Sequence, residues 1–528
     1  MTVNASTDAA VIRRERFTLI AAILASGMVS IDGSALNFVQ LAIQRDFNAD
    51  FSAIAWVING YALVLAALIL VGGALADLYG RRRMFMIGVG VFAASSLACA
   101  FAPSVEWLTL ARIVQGVGGA LVIPGSLANI TAVFPEAKRA GAIGVWSTFS
   151  TLMVIAGPVI GGQFGGIGFW RGIFLINVPI ALITLYLLSK TPETRAAGAN
   201  PPDVIGALLA TLGLGSLTFG LTEAGLLGLG NPLVVGTIGL GTAALAAFLF
   251  TETRVSHPMM PLSLFRNRVF AGTNLLTFLL YSGLGVIPVF MPLNLIAVQG
   301  YPSQLAAFVP LPMILTLALF SRYAGAIVGR FGYRLPLIVG PFISGVGFFL
   351  YGVPGLTAGP ADYFTSYFPG ILTLGIGLGI TVAPLTATVM ASAPAGMAGT
   401  ASGVNNAVAR TANVLAIAVA TAVSIALFTT GVSRIAAEFA LEPAAAAALM
   451  AEAPRLADAQ VPDAVPDAQR EAVFDALHAE FLVAFRAITW GLAVLAWLSA
   501  LAAFVFVRGP QVERPPSPQP VGAVAAVE

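Results

Sequence analysis

The 528-residue chain is short of charge: 9% of its residues are Asp, Glu, Lys or Arg, against 58% hydrophobic, and its mean hydropathy is +0.91. A soluble domain carries about a quarter of its residues as charges, so this chain has too few to clothe a water-facing surface of its size. The charges also nearly cancel, 26 basic against 24 acidic for a net +2, which argues against a nucleic-acid partner. Disorder is excluded, because disordered chains are poor in apolar residues and rich in charge. A single cysteine, Cys99, forbids an internal disulfide or a thiolate metal cluster. The two histidines, His257 and His478, lie far apart, and a zinc site would need carboxylates beside them. No Walker-type glycine-lysine run is present to cradle a nucleotide, no hydrolytic machinery stands out, and nothing resembles a repeated selectivity filter. These shortages leave a polytopic, all-α membrane protein that is not an enzyme and works without cofactor, metal, nucleotide or ATP.

What the chain has in abundance is long apolar runs. About 20 apolar residues cross roughly 30 Å of hydrocarbon at 1.5 Å each. Fourteen runs qualify: 17–43, 52–76, 84–102, 107–134, 141–168, 171–189, 204–226, 232–252, 269–297, 304–329, 335–353, 364–391, 398–428 and 483–507. Pro310, Pro312 and Arg322 interrupt the tenth; neighbouring helices can re-satisfy carbonyls freed by proline in a membrane. The first run is too long for a signal-peptide core and lacks a small-residue cleavage pattern, so it reads as a retained helix. With the N-terminus inside, seventeen Lys and Arg residues, from Arg13 to Arg514, fall on inner segments, while the short outer loops hold only Arg45 and Arg171. The positive-inside rule thus predicts both termini in the cytoplasm; the expected location is the plasma (inner) membrane. Trp56, Trp107 and Trp170 fall at outer ends, where an aromatic belt sits.

Two segments stand apart from the spans. Residues 430–482 form an outer loop with nine acids against Arg434, Arg455 and Arg470; it reads as a solvated cap or as a gatherer of cations. Within it, Val473, Phe474, Leu477 and Phe481 share a face of a short amphipathic helix over 467–481. Residues 508–528, rich in proline, read as a disordered tail. The stretches 73–82 and 325–334 match at Gly73/Gly325, Gly80/Gly332 and Arg82/Arg334, each on an inner turn and eight spans apart. Six spans plus an inserted pair account for that displacement. The expected organisation is a six-helix bundle over 1–190, a linker with inserted spans 7 and 8 over 191–260, and a second six-helix bundle over 261–507. Repeated bundles are a transporter plan with the substrate site at their interface.

The few charges inside or beside spans carry the chemistry. In the turn after span 2, Gly73 and Gly80 permit close approach and a tight turn, and Asp77 can accept from helix N–H groups or pair with an arginine, an ion pair with another inner helix holding the inner side shut; the alternative is a simple basic turn. Arg112 in span 4, with Gln115 following, costs about 2.5–3.5 kcal/mol at mid-membrane and so faces a bundle interior or snorkels outward. Span 5 carries Gly157, Pro158, Gly161 and Gly162, a bend or a sliding contact between bundles. Asp32 in span 1, near Ser34 and Asn37, lies roughly 16 Å deep. Burial raises such a carboxyl's affinity for protons and a nearby Arg112 lowers it, so it can exchange a proton or form a structural pair. Glu223 reads as interfacial. Arg410, with Asn405 and Asn406, reads as lining the second bundle's inner mouth, and Arg322 as a weaker case.

These residues resemble the major facilitator superfamily, specifically its fourteen-span drug:proton antiporters. The match is carried by Gly73–Arg83, Arg112–Gly119, Gly157–Gly162, the run from Trp170 to Pro179, and Pro258/Pro261 before Leu264. Ser34, Val39, Leu41, Leu78 and Met153 depart from the usual residues of that pattern. The resemblance implies proton coupling by Asp32 and Arg112, an inner gate at Asp77 and Arg81, and an antiporter signature at Gly157-Pro158. The expected function is a monomeric exporter of lipophilic or cationic small molecules driven by the proton gradient. A dedicated exporter of one endogenous metabolite, lipid or antibiotic is the alternative; a non-transporting sensor is a third, disfavoured by the intact motifs.

Overall fold

A chain with no water around it must satisfy its peptide groups internally, and a helix does so within one segment. The computed structural model describes residues 2–195, 201, 203–394 and 397–507; the tail over 508–528, with Arg508 and Arg514, lies outside the described residues. Among the described residues there is no strand, and fourteen helices are long and apolar enough to cross a membrane. They are α1 (Thr2–Phe47), α2 (Phe51–Tyr79), α3 (Arg81–Ala100), α4 (Val105–Val133), α5 (Glu136–Gly166), α6 (Asn177–Ser189), α7 (Val204–Leu227) and α8 (Pro232–Glu252). The series continues with α9 (Arg268–Leu293), α10 (Leu311–Phe331), α11 (Arg334–Tyr351), α12 (Phe368–Ala391), α13 (Ala398–Glu438) and α14 (Asp467–Phe506). Short turns prolong three of them: Gly172–Leu175 before α6, Asn294–Val298 after α9, and Ser303–Ala306 ahead of α10.

In the first bundle α4 packs on α1, α2 and α3, α5 runs along α1, and α6 closes against α1 and α3. In the second, α11 lies between α12 and α14, and α9 packs on α13 and α14. The inserted α7 and α8 pair as a hairpin whose α7 covers both α2 and α13, the seam where the two bundles meet. The repeat is visible in the backbone. Gly80, between α2 and α3, has φ of 115°, and Gly332, between α10 and α11, has φ of 71°, conformations that disfavour a side chain.

The face carrying these two turns is called the basic face. Bonds between the bundles gather at the opposite face. There Gln40 Nε2 donates to Val289 O at 2.6 Å and the Phe51 and Phe290 rings meet at 5.3 Å. Gln44 Nε2 donates to Arg455 O at 3.0 Å, Arg45 pairs with Asp458 at 2.8 Å, and Arg455 bonds Asn48. Toward the basic face, much of α5 and α10 is exposed, including Val145, Phe149, Leu152, Leu315, Leu319 and Tyr323. The bundles are thus tied together at one face, and α5 and α10 are left largely uncovered toward the other.

Three expectations need correction. The outer loop is mostly helix: α13 continues to Glu438, α14 starts at Asp467, and Pro443–Glu452 and Ala453–Asp458 fold between them. Its acidic, alanine-rich stretches fail a hydropathy test but are good helix formers. Phe474 does not share the buried face of Val473, Leu477 and Phe481; it is 40% exposed, with its ring 4.2 Å from that of His478. Only the line at four-residue spacing meets the neighbouring helix. Trp170 is not in an aromatic belt. It is 2% exposed and its Nε1 donates to Asp46 at 3.1 Å, whereas Trp107 is 51% exposed as a belt residue would be.

Candidate functional site

Arg112 and Gln115 stand three residues apart on α4, which puts both side chains on one face of the helix. That face looks at α1, and there Arg112 Nη1 pairs with Asp32 Oδ2. Arg112 is 1% exposed and Asp32 fully buried, so the arginine does not snorkel to the surface. The other carboxylate oxygen, Asp32 Oδ1, accepts from Gln115 Nε2 at 3.0 Å and from Asn177 Nδ2 at 3.1 Å. The guanidinium donates further, to Gln115 Oε1 at 2.7 Å and through Nε to Val57 O at 3.2 Å. Ser96 Oγ ties the set together, accepting from Gln115 at 2.7 Å and from Asn177 at 3.2 Å. Above the guanidinium lies the Tyr61 ring, with its centroid 4.3 Å away.

The cluster thus draws one or two side chains from each of α1, α2, α3, α4 and α6. Burying an ion pair costs several kcal/mol per ion unless the remaining donors and acceptors are met, and here nearly all are. The exceptions are informative. Tyr61 Oη and Asn177 Oδ1 are buried without partners, as is Asn37 Oδ1 five residues along α1. Arg410 of α13 stands across the bundle interface, within electrostatic reach of Tyr61. It is half-buried and forms no ion pair among the described residues. Tyr61, which covers the guanidinium of Arg112, is thus the member of the cluster that meets a cation of the other bundle.

Sequence reasoning named Asp32, Arg112 and Gln115 and missed Ser96, Tyr61 and the role of Asn177, which stood in a quoted motif without a task. Asn406, expected in the cavity, is exposed and donates only to Ser402 O in its own helix. Its neighbour Asn405 points the other way, donating to Asn274 and Thr277 of α9 at 3.2 and 2.7 Å. Adjacent helical positions lie about 100° apart, and the sequence alone does not choose between them. Arg322 is exposed. Glu223 lies at the face opposite the basic one, accepting from Ser52 Oγ at 2.9 Å.

On the basic face Asp77 pairs with Arg81 across the turn at 2.8 Å, not with a distant helix. Glu193 caps α3, accepting from the amides of Arg82 and Arg83 at 3.0 Å each. It fills the space beside Gly80, where a Cβ would stand 2.7 Å from its Oε1. The close helix approach expected of Gly73 is made by Gly72, whose Cα abuts Ala120 O; a Cβ on Gly73 would meet Pro124 at an ordinary 3.7 Å.

The glycines of α5 face two ways. Gly157 abuts Ser34, and Gly161 abuts Ala35 on α1, inside the first bundle. Gly162 abuts Ser303 and Ala307, and Gly166 abuts Gln304, all in the second bundle. Pro158 is buried within the same helix. Beside the seam covered by α7, an apolar cavity of 260 Å³ is lined by Leu70, Phe248, Met260, Phe278, Val408 and Leu415 among others.

The chain matches the Major Facilitator Superfamily over residues 19–417. It is 33% identical over 400 residues to the "Multidrug resistance protein Stp" of Mycobacterium tuberculosis (strain CDC 1551 / Oshkosh), covering 75% of this chain and 73% of that protein. It is 32% identical over 389 residues to the "Tetracenomycin C resistance and export protein" of Streptomyces glaucescens, covering 73% and 71%. In three dimensions it is similar to a bacterial homolog of the human lysosomal transporter Spinster in an inward-facing, unoccupied conformation. The TM-score is 0.64 over 94% of this chain and 98% of that one, at 18% identity, a likeness of fold alone. With fourteen membrane-spanning helices in two bundles and relatives of this closeness, the chain belongs to the Major Facilitator Superfamily, within its drug-efflux family.

Proposed function

We propose that the protein is a proton-coupled exporter of lipophilic or cationic small molecules, working by alternating access with its basic face in the cytoplasm and its spans in the plasma membrane. The observation that carries this reading is the fully buried Asp32–Arg112 pair inside the first bundle. A proton on Asp32 removes its charge and its hold on Arg112, which then keeps only Val57 O and Gln115 as acceptors. Tyr61, whose ring lies over Arg112, also has Arg410 of the other bundle within electrostatic reach, a route by which the proton's presence is felt across the interface. Protons load from outside and leave inward as the bundles exchange faces. A charge descending 100 mV releases about 2.3 kcal/mol, enough for one or two protons to drive a useful gradient. The inserted hairpin and the apolar cavity it covers suit lipophilic cargo.

The test is Asp32→Asn in proteoliposomes with an imposed pH gradient. Loss of substrate-driven proton flux is expected; unchanged flux removes Asp32 from the mechanism. A second reading, a dedicated exporter of one endogenous compound, is favoured by the relative named for a single antibiotic. Competition for export by chemically unrelated lipophilic cations would argue against it.

A further inference from the structure

At the basic face the two ends of the inserted hairpin lie side by side. Asp203 caps α7, its Oδ1 accepting from Gly206 N at 2.8 Å. Glu252 closes α8, its Oε2 accepting from Met260 N at 2.9 Å. One oxygen of each carboxylate is fixed in this way. The remaining two, Asp203 Oδ2 and Glu252 Oε1, are buried and meet no donor. Glu252 as a whole is 4% exposed.

Both orphaned oxygens converge on the same point. A Cβ on Gly206 would stand 3.0 Å from Glu252 Oε1 and closer still to Asp203 Oδ2, so both carboxylates crowd one small space beside that glycine. Two ionised carboxylates in such contact repel, and neither orphaned acceptor recovers the hydrogen bonds it lost on leaving water. One proton cures both defects. Placed on either oxygen, it makes an O–H donor for the other and halves the charge.

We propose that Asp203 and Glu252 form a proton-binding pair, holding one proton between Oδ2 and Oε1 at the foot of the inserted hairpin. No cation competes for the pair among the described residues. Arg254 lies over the Phe250 ring, 4.9 Å from its centroid. His257, on the strap after α8, is exposed and lines the same pocket as Asp203. α2 presents Leu70, Val71 and Ala74 there, and α13 presents Thr400 and Gly403, none of them charged. That pocket, 480 Å³ in volume, is lined by α2 and α13, one helix from each bundle. The pair can therefore exchange its proton with water at the seam where the bundles part. With the proton in place the start of α7 is joined to the end of α8, which holds the strap through Met260 N; without it, two negative charges push the two ends of the hairpin apart.

The experiment is infrared spectroscopy of the full chain in lipid nanodiscs, in an Asp32→Asn, Asp458→Asn background so that the first-span acid and the buried acid of the cap are silent. A protonated-carboxyl C=O band is expected that persists above the pH at which free carboxyls ionise and disappears as pH rises further. It should be missing from Glu252→Gln and from Asp203→Asn, whose amides donate to the remaining carboxylate and imitate the protonated pair. Either variant decides alone. Absence of the band in the background protein, or its survival in a folded, monodisperse variant, overturns the assignment. Because the readout needs no transport, failure here leaves the Asp32 reading standing, and the reverse also holds.

Discussion

Arg112→Gln strands the carboxylate of Asp32 in a site it shares with only neutral donors, Gln115 and Asn177. Removing one partner of a buried pair costs about 3–5 kcal/mol, so the variant should melt well below the parent in detergent. Asp32→Asn added to Arg112→Gln removes both charges and should recover a large part of that loss. A double-mutant cycle with no coupling between the two would show that the pair contributes nothing to stability. At this scale the sequence was legible where a residue was rare. Asp32 and Arg112 stood out because ionised groups in apolar runs are few, and Gln115 because it followed Arg112 at helical spacing. Ser96, Tyr61 and Asn177 could not be singled out. Serine, tyrosine and asparagine occur throughout membrane helices, and only closure of five helices around one point gives these three a common task.

The two-sided α5 gives different expectations for adjacent glycines. Gly161→Val drives a side chain into Ala35 of α1 and should destabilise the first bundle by about 1–3 kcal/mol, the usual cost of overpacking, read as a lower melting temperature. Gly162→Val meets Ser303 and Ala307 instead. It should leave that bundle intact but part the two bundles where they are tied, so that Gln304→Cys in this background reacts several-fold faster with a hydrophilic maleimide. Equal reactivity would mean that the contact bears no part of the closure. The cap formed by Ala453–Asp458 offers a pH test. Burial pushes the Asp458 carboxyl above the usual range, against the opposing pull of Arg45. An acid whose folded value is raised contributes stability that is complete below its unfolded value of about 3.9 and is lost as pH rises through the folded one. Hydrogen-exchange protection over 453–465, corrected for intrinsic rates, should therefore fall with rising pH, and Asp458→Asn should flatten the curve. A rise with pH would show that the Arg45 pair outweighs burial. Of the cap, only the amphipathic helix over 467–481 was foreseen as ordered, because hydropathy reports what dissolves in lipid and is blind to a polar helix continuing past the membrane.

For the molecule as a whole, the fourteen spans were readable since each is a long apolar run with charged ends, and the repeat was readable since Gly80 and Gly332 must both take a left-handed turn. The pairing of helices was not, because apolar stripes in lipid carry little signal about which neighbour they meet. Nor was the state of the molecule, its bundles tied together at the cap and its α5 and α10 left largely uncovered toward the basic face, since the same residues serve both states. The long helices at the capped face have a practical consequence. α13 has 41 residues and α14 has 40, which makes each about 60 Å long, twice the roughly 30 Å of hydrocarbon. Arg434 and Glu480 clasp the pair at 3.3 Å beyond the membrane runs. Such a post rides on the second bundle while its foot touches Gln44, Arg45 and Asn48 of the first, so any tilt between bundles is magnified at its tip like the needle of a gauge. Cys99, the sole cysteine, is wholly buried. Fluorophores on cysteines introduced near the tip of the post and on the first bundle would turn each transport cycle into a distance that can be watched in one molecule.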